Sequence, residues 1–251
     1  MFKIFDSHIH FNMKEKDIVS DFKKQAETLD GFILILNNQE EKKIFEKNFL
    51  KDFIYQFPLS AIAINYELAN YEFLEKINNN GITLGIKLHP RLSNITRDKF
   101  TRVVNVIEQI DPEFIIIDCF YYGSSLETHI NLDLSIYIAK YFKNNKILLA
   151  HSGGHKILEY MLYTRDLKNI YYDLSLTSNY LRYTSVRLDM INFIKFNYSK
   201  IFFGSDYPDF SIESAVDIYL DLTKEAKLNY DKINLIFEQN FVSFLNLEGK
   251  L

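Results

Sequence analysis

IFDSHIHF, residues 4–11, is the first apolar run of the chain, and its reading decides the fold. Side chains two apart in a strand share a face. Asp6, His8 and His10 therefore project together, which is how two imidazoles reach one metal ion. An open doubly wound sheet would carry a Gly-rich phosphate-binding turn after its first strand, whereas this chain has Ser7-His8-Ile9-His10 there. The run extends back to Phe2, and seven more follow: GFILILNN (31–38), FPLSAIAIN (57–65), GITLGIKLHP (81–90), EFIIIDCF (113–120), KILLAHSGG (146–154), NIYYDLSLTS (169–178) and KIFFGSDYP (200–208). Between them, stretches such as 14–29, 40–53, 97–110, 132–142 and 186–196 repeat apolar residues at three and four, the period of an amphipathic helix. Strands alternating with helices require a parallel sheet with crossover connections. Eight such units of roughly 30 residues predict a (β/α)8 TIM barrel.

Two helical stretches, 212–226 and 230–244, follow the eighth run, and the second is amphipathic. The expectation is a distorted barrel with an extra C-terminal helix packed against it. With no Pro/Gly/Ser-rich linker, low-complexity tract or short repeat, residues 1–251 read as a single domain. A net charge of −4 and a pI near 5.9 provide no phosphate-binding footprint and no membrane-surface patch. The expected partner is a small-molecule substrate, with no nucleic acid and no membrane, and with self-association into a homo-oligomer left open. Cys119 is the one cysteine, which excludes an intrachain disulfide and fits a buried thiol in a reducing compartment. No basic and apolar leader opens the chain and no stretch has the length of a spanning helix, so the expected location is cytoplasmic.

His8, His10, Lys87, His89, Asp118, His151 and Asp206 all stand at the C-terminal ends of their runs. In a closed barrel those ends surround one mouth, the catalytic face. Taken singly, each is also explained as a hydrogen-bonded histidine or a capping carboxylate; their shared placement is the stronger signal. Gly153 and Gly154 permit a tight turn after His151. Arg91, Arg182 and Arg187 follow the fourth and seventh runs, where they would clamp an anionic substrate or simply be solvated. Tyr121, Tyr122, Tyr180 and Tyr207 are candidates to wall the pocket.

These motifs together resemble the amidohydrolase superfamily of metal-dependent hydrolases, in its amidohydrolase-related branch. FDSHIH is similar to that family's first-strand Asp-x-His-x-His, GIKLHP to its fourth-strand motif, LLAHSGG to its sixth-strand histidine and FFGSDYP to its eighth-strand Gly-Ser-Asp-x-Pro. FEQNFVSFL, with Asn240, is similar to its closing segment. The resemblance covers the whole chain and implies one divalent metal ion, zinc or alternatively manganese, held by His8, His10 and Asp206. One departure stands out, because the fifth strand ends in Asp118-Cys119 where the family has a histidine. Asp118 is expected to replace that ligand; alternatively His151 moves to the metal, or the metal is weak or absent. Asp206 would also take the proton of the attacking water, with His151 as a second acid or base. Lys87, His89 and Arg91 would meet the substrate, and Lys87 would bridge to a second metal if carbamylated. The implied function is hydrolysis of a C–O or C–N bond, in a lactone, ester or amide of a small carboxylated molecule. The alternatives are a non-oxidative decarboxylase, a TatD-like metal-dependent deoxyribonuclease and an inactive binding protein.

Overall fold

All eight runs form strands in the computed structural model: β1 (Phe5–Ile9), β2 (Gly31–Leu36), β3 (Ala61–Asn65), β4 (Leu84–Leu88), β5 (Phe114–Asp118), β6 (Lys146–Ala150), β7 (Ile170–Asp173) and β8 (Ile201–Phe202). Residues 3–250 are described; Met1, Phe2 and Leu251, which the single-domain span includes, lie outside the described residues. Each strand pairs in parallel with the next, in the order β1 to β8. Closure depends on the irregular chain after the two-residue β8. Ser7 N–H donates to Phe203 O at 2.9 Å, Asp206 N–H to His8 O at 2.9 Å and His10 N–H to Tyr207 O at 2.8 Å. The pairing of β1 with β2 also shifts register between Asp6 and Ile9. The barrel is thus distorted at this seam, which also carries the two histidines.

Both faces of the sheet are buried, and side chains alternate between them with the period of a strand. Ile33, Ile35, Ala61, Ala63, Phe114, Ile116, Leu148 and Ala150 fill the barrel interior. Their neighbours Leu34, Leu36, Ile62, Ile64, Ile115, Ile117, Ile147 and Leu149 pack under the helices. Continuing the inward series by two residues reaches Asp118 on β5 and Asn65 on β3, and the same parity takes β4 through Gly85 and Lys87 to His89. An alternation that is apolar deep in the barrel becomes polar at its mouth. Phe241, Val242, Phe244, Leu245 and Leu247 join the same interior cluster as Phe5, Phe114 and Phe202, so the C-terminal segment seals the other end.

Helices Asn131–Tyr141, Val186–Asn197 and Ile212–Glu225 match their periodicity, whereas three other stretches are shorter or broken. The stretch 14–29 is helical only over Ile18–Ala26, where the Asp17 carboxylate caps Ser20 N–H. The stretch 40–53 gives Gln39–Asn48, started by a capping box of Asn38 and Glu41, and then a separate turn, Phe53–Gln56. Phe45, Phe49, Leu50 and Phe53 are all buried, a cluster wider than one helical stripe, and the chain turns to place it. The expected single helix over 230–244 is three pieces, Tyr230–Asn234, a π turn over Leu235–Gln239 and Asn240–Phe244. Within the π turn, Ile236 O accepts Phe203 N–H at 2.9 Å, a bond from outside the helix. Cys119 is buried, as expected. No helix among the described residues is long and apolar enough to cross a membrane.

Asn240 ties the C-terminal segment to the last crossover, its amide donating to Tyr198 O and Ile201 O, both at 2.8 Å. Asn240→Ala leaves two carbonyls without that partner and should cost about 1–3 kcal/mol. Urea denaturation should show a lower midpoint at unchanged slope.

Candidate metal centre and active site

Six strands deliver polar side chains to one mouth. His8 Nε2 lies 3.3 Å from Asp206 Oδ1, and His10 Nε2 lies 3.8 Å from the same oxygen. One ligand atom from each of His8, His10 and Asp206 falls within 4.8 Å of the other two. Burial keeps His8 well below its ordinary pKa and brings His10 down to about 3, with the Lys87 and His151 charges acting in the same direction. Both imidazoles are neutral at neutral pH and offer lone pairs. Burial pushes Asp206 up to about 6 against the pull of His151 and Lys87, so it is mostly ionised there. Two imidazoles that stay neutral and a carboxylate converge on one point, and nitrogen and oxygen donors of this kind suit zinc. The residues therefore fit a divalent ion.

A second hub forms around Asp118 Oδ2, 3.1 Å from His151 Nε2, 3.5 Å from His89 Nε2 and 3.6 Å from Lys87 Nζ. Burial alone would raise the Asp118 pKa, but the charges of His89, His151 and Lys87 and the His151 hydrogen bond hold it well below the usual carboxylate range. Lys87 Nζ also donates to His8 Nε2 at 2.8 Å, which places Lys87 between the two hubs. Asp118 faces the mouth as the sequence implied, yet it stands with His151, His89 and Lys87 and outside the convergent trio. Lys87 is itself only 1% exposed and does not line the cavity where a substrate-binding side chain would be.

His151 reaches the interior against the alternation, since Leu149 two residues earlier faces the helices. Its φ of +65° swings the ring inward, and Ser152, Gly153 and Gly154 also have positive φ. A Cβ on Gly153 would sit 2.2 Å from the Tyr160 ring, so this turn requires glycine for space as well as for conformation. His151 Nδ1 faces Ser175 O at 2.9 Å, an atom that can only accept, while Nε2 faces the Asp118 carboxylate. Both nitrogens then carry protons. Burial would lower its pKa, but the charge and hydrogen bond of Asp118 prevail and raise it to about 9.

Asp173, at the end of β7, is the residue the sequence reading passed over. Its Oδ1 accepts from His151 N–H at 2.8 Å, from Ser175 N–H at 3.0 Å and from the Ser175 hydroxyl. Its Oδ2 lies 3.5 Å from His8 Nδ1. The available signal was the one used elsewhere, a carboxylate closing an apolar run. Atoms of His8, His151 and Asp173 also lie within 4.8 Å of one another, but His151 Nδ1 is committed to Ser175 and Asp173 Oδ1 to three donors. Asp6 accepts from His8 N–H at 2.9 Å and Ser205 N–H at 3.0 Å, and burial raises it to about 7. A Cβ on Gly204 would lie 2.9 Å from Ser7 Oγ and 3.1 Å from Ser175 Cβ, so glycine lets the chain pass close to β1 and β7.

Beside these hubs opens a cavity of about 420 Å³ lined by His89, Arg91 and Asp118 together with Phe120, Tyr122, Leu176, Tyr180, Asp209 and Phe210. Among the described residues Arg91 has no ion-pair partner; its guanidinium lies 5.5 Å from the Tyr122 ring. A second recess, about 250 Å³, reaches His10 and Asp206 from the side of Asn12, Asn37 and Glu41. The other arginines lie elsewhere: Arg187 pairs with Glu225, and Arg182 stacks on Tyr183. Of the four candidate tyrosines, Tyr122 and Tyr180 wall the cavity. Tyr121 accepts from Leu132 N–H, and Tyr207 donates to Asp21 at 2.6 Å.

No protein-family model matches this chain, and comparison with curated proteins gives no significant match. Solved structures do resemble it. An uncharacterized TIM-barrel protein from Bordetella bronchiseptica superposes with a TM-score of 0.70 at 13% identity, over 98% of this chain and 99% of that one. A probable 2-pyrone-4,6-dicarboxylic acid hydrolase from Acinetobacter baumannii gives 0.61 at 15% identity, over 97% and 99%. L-Hydantoinase (dihydropyrimidinase) from Arthrobacter aurescens gives 0.62 at 8% identity, over 99% and 72%. At such identities the likeness shows the shared barrel.

The His151–Asp118 pair sets a pH dependence of stability. The folded pKa near 9 exceeds the ordinary 6.5, so the stabilisation is complete below pH 6.5 and is lost as pH rises through 9. Denaturation measured between pH 6.5 and 9 should show declining stability, with a slope of at most about 1.4 kcal/mol per pH unit for one proton. His151→Gln should remove most of that slope; a wild-type protein with no slope there would contradict the imidazolium assignment.

Proposed function

We propose that this chain is a metal-dependent hydrolase of the amidohydrolase type that cleaves a C–O or C–N bond in a small carboxylated molecule. The observation that carries the reading is the convergence of His8, His10 and Asp206 at the mouth of the barrel. His8 Nε2, His10 Nε2 and Asp206 Oδ1 would hold one divalent ion, with zinc favoured by the two imidazoles and manganese the alternative. When bound, such an ion polarises a carbonyl oxygen and makes water more acidic. Lys87 Nζ, 2.8 Å from His8 Nε2, would have to yield that nitrogen to the ion, while Asp118, as arranged, is the counter-ion of His151.

The chain's own groups supply the rest. The Asp206 carboxylate accepts a proton from the attacking water. His151, with its Nε2–H on Asp118 Oδ2, is the acid for the leaving group. Its assignment as acid follows from the proton on each ring nitrogen. Arg91, without an ion pair at the cavity rim, offers a planar fork to a substrate carboxylate. Phe120, Tyr122, Tyr180 and Phe210 suit an unsaturated or ring-bearing body. Asp209 lines the same cavity and disfavours a second negative charge beside it. The hydrolase and hydantoinase among the similar barrels support a C–O or C–N bond as the target.

Protein loaded with zinc or manganese should hydrolyse members of a panel of lactones, esters and cyclic amides, each product gaining one water. Loss of carbon dioxide from a substrate would replace hydrolysis by decarboxylation. Asp206→Asn should abolish turnover more completely than it lowers metal content, because an amide does not take the proton. Metal content unchanged with near-normal turnover would sink the role of Asp206. Arg91→Gln should raise KM at least tenfold for a carboxylated substrate and little for its neutral amide analogue, in parallel steady-state assays.

A further inference from the structure

We propose that Asp173 is a positioning residue for His8: it holds the proton on Nδ1, so that Nε2 presents its lone pair to the metal centre. The inference rests on the metal reading above and adds a residue that neither the sequence motifs nor the convergent trio includes. Two buried atoms face each other across 3.5 Å, Asp173 Oδ2 and His8 Nδ1, and neither makes a hydrogen bond, so each is the nearest answer to the other. Both residues are fully buried, so no bulk solvent serves either atom. A carboxylate oxygen only accepts, so Nδ1 is the nitrogen that carries hydrogen.

The other edge of the ring gives the same answer independently. Lys87 Nζ stands 2.8 Å from His8 Nε2, and a lysine ammonium only donates, so Nε2 is the acceptor. Asp206 Oδ1, at 3.3 Å, is farther from the same nitrogen. One ring with an acceptor at Nδ1 and a donor at Nε2 has a single compatible tautomer. In metal sites generally, the imidazole nitrogen away from the ion donates to a carboxylate or carbonyl that fixes the tautomer.

The carboxylate cannot easily turn away from this task. Its Oδ1 is pinned by His151 N–H, Ser175 N–H and the Ser175 hydroxyl. Those three donors also dictate what an amide would do in its place. In Asp173→Asn the side-chain oxygen must stay where the three donors are, which turns the NH2 group toward His8 Nδ1. That nitrogen must then accept, and the proton moves to Nε2. An Nε2–H cannot ligate a metal, and it also opposes the Lys87 donor. A nearly isosteric substitution thereby inverts the ring, by the logic through which an Asp-to-Asn change in a catalytic triad fixes the wrong tautomer.

The test uses full-length protein with 15N-labelled histidine at neutral pH, first without metal. Long-range 1H–15N correlation spectra, with His8 assigned by its loss in His8→Gln, should show Nδ1–H in the wild type and Nε2–H in Asp173→Asn. Zinc affinity, measured by chelator competition, should fall by roughly ten- to a hundredfold in the same variant. A wild-type His8 protonated on Nε2 would overturn the proposal even if the variant failed to fold. So would a variant with wild-type tautomer and zinc affinity, or one whose tautomer switches while zinc binding is kept. A wild type that shows Nδ1–H yet binds neither zinc nor manganese would end the hydrolase reading while leaving the role of Asp173 in orienting His8 intact.

Discussion

A strand has a period of two, and in a closed sheet buried on both sides every inward position must be filled or paired. The rest of this molecule depends on that constraint. On β5 the inward series runs Phe114, Ile116, Asp118, and on β4 it runs Gly85, Lys87, His89. The lower members meet the C-terminal segment through Phe241, Phe244 and Leu247, which closes that end with apolar surface. Polar inward residues are thereby confined to the mouth. One rule thus accounts for the packing below and for the gathering of functional groups above.

Burial of those groups has opposite outcomes, decided by neighbours. Moving a charge out of water costs several kcal/mol unless it is paired. His8 and His10 have Lys87 and His151 nearby, so burial and charge act together and both stay neutral. Asp118 is just as deep, yet His89, His151 and Lys87 surround it and outweigh burial. His151 becomes the cation that answers Asp118. The mouth therefore holds neutral imidazoles beside an imidazolium paired with a carboxylate, a division set by which groups each side chain touches.

The backbone gives way where the chemistry requires it. The left-handed conformation of His151 costs roughly 1–2 kcal/mol, while each hydrogen bond to a charged group contributes about 1.5–3 kcal/mol. Its contacts with Ser175 and Asp118 thus exceed the strain. Asp206 has a φ of +61° and Leu176 one of +58°, so the chain after β7 and β8 bends in the same way. The π turn at Leu235–Gln239 is another local exception, and its Ile236 carbonyl holds the chain after β8.

By itself the sequence determined the eight strands, their parallel order and the mouth as the meeting place of His8, His10, Lys87, His89, Asp118, His151 and Asp206. Those follow from local periods and from where polar residues interrupt apolar runs, both of which are written in consecutive residues. Helix ends were less legible at 14–29 and 230–244, because the stopping points answer to distant partners such as Phe203. Only the tertiary structure decided that Lys87 separates Asp118 from the trio, that His151 turns inward against its parity, and that Asp173 faces His8. The reason is physical: which lone pair meets which proton depends on distances of a few ångströms between strands far apart in the chain. Spacing along the sequence does not encode such distances; barrel closure sets them.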